Sequence, residues 1–175
     1  MKEKKVYKIA LAAIFAAIVC VATAVTNIPL PTKGYFNLGD CFIIVAALSI
    51  GPLWGGLAAG IGAGLSDLIL GFAFYSPATF VIKFLMAVAV FYVAKGIRST
   101  GFRFEILTVT AAAAVGEIIM IAGYFVFELF LYGIGSAVAD ILGNTVQGAC
   151  SLVCGSLVYN VLYKTGAVKK LFPAV

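Results

Sequence analysis

Residues 105–132, EILTVTAAAAVGEIIMIAGYFVFELFLY, decide how this chain folds. The run carries three ionisable groups: Glu105 at its start, Glu117 in its middle and Glu128 near its end. As a helix it would extend about 42 Å at roughly 1.5 Å per residue, whereas a hydrocarbon core is about 30 Å thick. It reads as a transmembrane helix that tilts or projects outward. Each carboxyl within it needs an explanation, because an ionisable group in hydrocarbon costs about 2.5 to 3.5 kcal/mol on insertion scales.

Working outward, apolar runs recur at residues 6–27, 38–50, 53–72, 77–94 and 137–163. Hydrophobic residues make up 63% of the 175-residue chain and charged residues 11%, with mean hydropathy +1.14, where soluble domains carry about 25% charged residues. The expectation is an all-α integral membrane protein: a bundle of about six transmembrane helices in one membrane domain, residues 1–175. No soluble domain remains to hold a nucleotide or a nucleic acid. The first run ends at Ile28-Pro29-Leu30-Pro31, which cannot continue a helix, and the second stops at Gly51-Pro52. The second run is short for a span, so the Pro-rich loop before it, to about Asn37, is expected to pack down as a lid. Gly56, Gly60 and Gly64, with Ala59 and Ala63 beside them, permit close helix contact.

Ten of the twelve basic residues fall in three clusters: Lys2, Lys4, Lys5 and Lys8; Lys95, Arg98 and Arg103 in a central loop; Lys164, Lys169 and Lys170. The positive-inside rule puts all three clusters, and both termini, in the cytoplasm with an even number of spans between them. Lys-rich residues before an apolar core, with Ala22-Thr23-Ala24 following, also resemble a signal peptide. Its removal would leave an odd helix count, against the charge distribution. Clustered in this way, the net charge of +5 does not indicate nucleic acid. The chain has no histidine, and Cys20, Cys41, Cys150 and Cys154 form no CxxC pair, so no metal site is expected. Cys150 and Cys154 share a helical face and read as small buried packing groups.

Helical spacing groups the polar residues into stripes. Ser76, Thr79 and Lys83 share a face; so do Glu117, Tyr124, Glu128 and Tyr132; and so do Asp140, Asn144, Gln147, Ser151 and Gly155. Most of these groups fall in the outer half, above Ala-, Val-, Leu- and Ile-rich inner halves. That asymmetry describes a pocket open outside and closed below; a through-pore would need polar lining along its full depth. The candidate substrate-binding residues are Asn37, Asp67, Tyr75, Thr79, Lys83, Glu117, Tyr124, Asn144 and Gln147. Amides, tyrosines and one lysine suit a neutral, flat, polar heterocycle. Alternatively, Lys83 pairs with Asp67 or Glu117, Asn144 caps a backbone kink, and no ligand binds. No GxxxxGK[ST] loop and no histidine-based catalytic arrangement is present, so neither an enzyme nor a cofactor is expected.

Gly34-Tyr35-Phe36-Asn37-Leu38-Gly39-Asp40, Gly51-Pro52-Leu53-Trp54-Gly55-Gly56, Ser66-Asp67-Leu68 and the stretch from Tyr75-Ser76-Pro77 to Ile82-Lys83 resemble the S components of energy-coupling factor (ECF) transporters. The resemblance covers roughly residues 7–164. It implies a six-helix vitamin-binding subunit of the bacterial cytoplasmic membrane that captures its ligand beneath the loop joining helices one and two. It further implies partners, a membrane T component and two ATPase subunits, and toppling in the membrane to release the ligand. Docking in the family uses Ala-x-x-x-Ala patterns on the first helix, matched here by Ala12 with Ala16 and Ala13 with Ala17. The nearest group is that for riboflavin, pyridoxine and hydroxymethylpyrimidine. An Asp-rich start to the second helix, associated with riboflavin binders, is replaced by Asn37-Leu38-Gly39-Asp40, which favours a pyridoxine-like or pyrimidine ligand. Two other classes remain: a self-sufficient secondary carrier or channel in which Asp67, Lys83 and Glu117 relay protons, and an intramembrane enzyme, which the sparse nucleophiles disfavour.

Overall fold

The computed structural model describes residues 2–29 and 35–168, with side chains from residue 5 onward. Part of the expected lid, including Leu30, Pro31 and Gly34, and the basic residues Lys169 and Lys170 therefore lie outside the described residues, as do the side chains of Lys2 and Lys4. Six helices follow one another: α1 (Lys2–Val25), α2 (Gly39–Ile50), α3 (Pro52–Ile69), α4 (Ser76–Ser99), α5 (Glu105–Tyr132) and α6 (Ile134–Lys164). Between α1 and α2 the chain forms two short strands, β1 (Ile28–Pro29) and β2 (Tyr35–Phe36), paired antiparallel with Ile28 opposite Phe36.

Four helices, α1, α4, α5 and α6, are long and apolar enough to cross a membrane on their own. The 12-residue α2 is about 18 Å long. It is nonetheless at home in the bundle because α1, α3, α4 and α6 all pack against it, burying every residue except Phe42. A helix sheathed by other helices need not match the bilayer thickness with its own apolar surface. Its shortness also leaves space above its first turn, and that space becomes the site.

The helices approach closely where α3 supplies glycines. A Cβ at Gly60 would come 2.8 Å from the Phe80 carbonyl of α4, and one at Gly55 would come 2.7 Å from the Ala47 Cα of α2. The glycine stripe is thus a packing device, as its spacing predicts. Ser76 adds a hydrogen bond from its Oγ to the Gly64 carbonyl, 2.9 Å.

Three boundaries differ from the sequence expectation. α4 runs on to Ser99, so Lys95 and Arg98 lie in its last turns and Arg103 alone in the loop. Good helix formers continue a helix past the bilayer edge, whatever the apolar run does. α3 ends at Ile69, and α6 begins at Ile134, directly after Gly133, whose φ of 83° is left-handed and ends α5. Cys150 and Cys154 are exposed on the outer surface, correcting the expectation that they are buried. They precede the inward-facing Ser151 and Gly155 by one residue, a rotation of about 100°.

At the end carrying Lys95 and Arg103, the interior is apolar: Ile50, Ala87, Val90, Ala94, Val109 and Ala113 are buried there. Arg98 pairs with Glu105 and reaches the Tyr159 hydroxyl at 3.3 Å. The polar stripes meet at the opposite end.

Candidate ligand-binding site

Lys83 forms the floor, anchored on Asp40, which itself lies outside the cavity lining. Asp40 stands in the first turn of α2, where a negative charge complements the helix dipole, and it is 1% exposed. Lys83 Nζ donates to its two oxygens at 2.6 and 2.8 Å, and Gln147 Nε2 donates to Oδ2 at 2.8 Å. Gln147 Oε1 in turn accepts from the Asn37 backbone N–H and from Asn37 Nδ2, each at 3.0 Å. Asn37 Oδ1 accepts from the Gly39 N–H at 2.9 Å. One network therefore ties α4, α2, α6 and the segment leading into α2. Thr26 Oγ1 attaches the same segment to α1 by accepting from the Leu38 N–H at 2.9 Å and donating to the Ala22 carbonyl at 2.6 Å.

The wall above this floor is acidic and aromatic. Tyr35 of β2 donates its hydroxyl to Asp67 Oδ1 at 2.5 Å, while Asp67 Oδ2 is buried without a partner. Burial first, and then the Asp67 charge, push the Tyr35 hydroxyl far above its ordinary pKa, so it acts as a donor. The Tyr35 ring lies 5.0 Å from that of Phe72, and Tyr75 meets Phe72 and Phe127 edge-on at 6.4 and 5.2 Å. Tyr124 shares a 3.1 Å hydrogen bond with Thr79 and presents its ring to Lys83 Nζ, 5.3 Å from the centroid.

These groups surround a cavity of about 40 Å³, room for about three waters. Of the sequence candidates, Asn37, Asp67, Tyr75, Thr79, Lys83, Tyr124, Asn144 and Gln147 line it. Glu117 does not. It is 3% exposed, lies against Gly148 of α6 with both carboxyl oxygens unpartnered, and senses Asp40 and Lys83 electrostatically from outside the cavity wall.

The lysine's partner also differs from both sequence alternatives: Lys83 pairs with Asp40, 43 residues away, and not with Asp67 or Glu117. Thr23, Tyr35, Phe72 and Glu128 line the cavity as well. Glu128 and Asp140, which share faces with Tyr124 and Gln147, are each 2% exposed. The α6 stripe was legible as one face: Asp140, Gln147, Ser151 and Gly155 are buried and Asn144 is half-buried.

On α1, Ala12 and Ala16 are buried in the core, while Ala13 and Ala17 face outward. All four border an apolar groove between α1 and α3, lined on the α3 side by Trp54, Leu57, Ile61 and Leu65. Among the described residues no group of histidine, cysteine, aspartate and glutamate is arranged to hold a metal ion.

Comparisons with known proteins agree on the architecture. The family model described as "ECF-type riboflavin transporter, S component" matches residues 3–164. A Pyrococcus woesei protein, described only as an uncharacterized protein in a gap 3'region, is 35% identical over 147 residues, 83% of this chain and 95% of that protein. The thiamine precursor transporter HmpT of Lactococcus lactis subsp. cremoris (strain MG1363) is 26% identical over 168 residues, 95% of this chain and 93% of its own. The solved structure of ThiT from Listeria monocytogenes shares the fold with a TM-score of 0.69 at 18% identity, covering 97% of this chain and 98% of that one.

Proposed function

The chain belongs to the family of ECF transporter S components, and on that premise we propose that the cavity floored by Lys83, on its Asp40 anchor, holds a small, single-ring vitamin or vitamin precursor. The family membership makes it a multi-pass cell-membrane protein and a substrate-binding subunit, and not an enzyme; S components work with T and ATPase subunits. The observation that carries the ligand site is one of placement. Polar side chains gather around one cavity at one end of the bundle, and mainly apolar packing fills the other end.

Hydrogen-bonding capacity remains for a ligand. Asp67 Oδ2 has no partner, and Asn144 lines the cavity half-exposed. Tyr124 and Phe72 offer ring faces. The relative named as a thiamine precursor transporter supports a pyridoxine-like or pyrimidine ring over a larger flavin, and a cavity with room for about three waters must widen to take it. Tyr35, which bonds Asp67 and lines the cavity from the segment leading into α2, gives that segment the place of a lid.

In this reading the end with Lys95 and Arg103 faces the cytoplasm, both termini included, because the described basic clusters flank it. The exposed Ala13 and Ala17 face and its groove with α3 supply the surface for the T component, since small residues let a partner helix approach closely. Two ATPase subunits then provide the energy that this chain has no phosphate loop to harvest.

The test is uptake in proteoliposomes, using radiolabelled hydroxymethylpyrimidine and pyridoxine. The expected result is bound label without accumulation when the chain is alone, and accumulation when the T component, both ATPases and ATP are added. Accumulation by the chain alone would replace this reading with a self-sufficient carrier or channel.

A further inference from the structure

The carboxyl groups around the cavity outnumber the cations available to them. Among the described residues the ion pairs are Lys83 with Asp40 and Arg98 with Glu105, the second at the far end of the bundle. Lys83 is already committed, with both Asp40 oxygens within 2.8 Å. Glu128 lines the cavity, and Asp140 lies against it across the α5–α6 interface. Both are 2% exposed, and Glu128 Oε2 and the two Asp140 oxygens have no hydrogen-bond partner.

A further observation points the same way. Asp67 presents an unpartnered Oδ2 to the same cavity from α3. Buried polar groups are satisfied in folded proteins, and buried carboxylates most of all. Apart from a hydrogen shared between the Glu128 and Asp140 carboxyls, the chain offers these carboxyl oxygens no donor, and an occupant bearing N–H groups would supply one. A ring that offers mainly acceptors would leave them stranded.

We propose that the Glu128–Asp140 carboxyl pair is a charge-selective seat that takes a protonated amino group, or an N–H edge, of the ligand. The ligand is then an amino-substituted nitrogen heterocycle, not the neutral ring that the amides and tyrosines alone would suit. This rests on the cavity being the ligand site. Asp67 and Tyr75 contact the remainder of the ring, and Glu128 decides which substituent is accepted. Charge-assisted hydrogen bonds are roughly twice as strong as neutral ones, so the seat converts one substituent into selectivity.

The test uses two matched pairs of rings on the purified full-length chain, with affinity measured by titration calorimetry. Pyridoxamine and pyridoxine differ only in an aminomethyl against a hydroxymethyl group. Hydroxymethylpyrimidine with its ring amino group is compared with the counterpart carrying a hydroxyl in its place. The expected result is that at least one amino ring binds about tenfold or more tightly than its partner, in keeping with the stronger charge-assisted bond. In Glu128→Gln, and separately in Asp140→Asn, that ratio falls to about threefold or less as the bond loses its charge. The wild-type ratio stands as a test even if one variant fails to fold. Binding without preference for the amine, or a preference that survives in both variants, overturns this proposal while leaving the cavity as the ligand site. Failure of all four rings to bind overturns the ligand-site reading and this proposal with it.

Discussion

Lys83→Met is expected to lower the unfolding free energy of the bundle by about 3 to 5 kcal/mol, the range for removing one partner of a buried ion pair. Methionine fills much the same volume, so the loss would come from Asp40, left 1% exposed with a carboxylate facing no cation. Gln147 would remain as its single side-chain donor. Thermal unfolding in detergent reads the change. The double variant Asp40→Leu/Lys83→Met should recover most of it, because an apolar pair of similar size carries no desolvation cost. A single variant as stable as the wild type would mean that the ion pair does not hold the floor of the site. The pair is thus a structural base for the ligand site, with Lys83 alone part of its lining.

Gln147→Leu is expected to have the second-largest effect. The substitution leaves two buried donors without their partner, the Asn37 backbone N–H and Asn37 Nδ2, and takes from Asp40 Oδ2 one of its two donors, Lys83 being the other. Each stranded group costs about 1 to 3 kcal/mol. The consequence is local as well as global, because Gln147 is the α6 group that holds the segment entering α2. Hydrogen exchange at residues 35–39 should accelerate, while the apolar interior around Val90, Val109 and Ala113 stays protected. Unchanged exchange in that segment would show that Thr26 and Asn37 suffice to hold it.

The helices and their inward faces were legible because a bilayer imposes a strong rule: apolar runs of fixed length, and polar side chains turned away from lipid. Thr79, Lys83, Tyr124, Asn144 and Gln147 line the cavity as their spacing predicts. What escaped is what spacing does not encode. Asp40 reads in sequence as an acid complementing the start of a helix, and nothing local announces its partners on α4 and α6. Thr23 looks like one small residue in an apolar run, and Tyr35 like one residue of a loop, yet both reach the cavity because α2 begins so far inside. Glu117 shares a face with Tyr124 and Glu128, but two turns along that face carry it outside the cavity wall. Cys150 and Cys154 show the opposite error, where a one-residue offset from the buried stripe turns a side chain to the outer surface.

Capture of a small ring in the polar cavity at one end of the bundle is tested most directly by native mass spectrometry of the purified chain, presented with hydroxymethylpyrimidine, pyridoxine, pyridoxamine and riboflavin. The expected result is one small single-ring molecule retained per chain, and its loss in Lys83→Met. Spectra free of adducts across the whole panel, or retention untouched by that substitution, would contradict it.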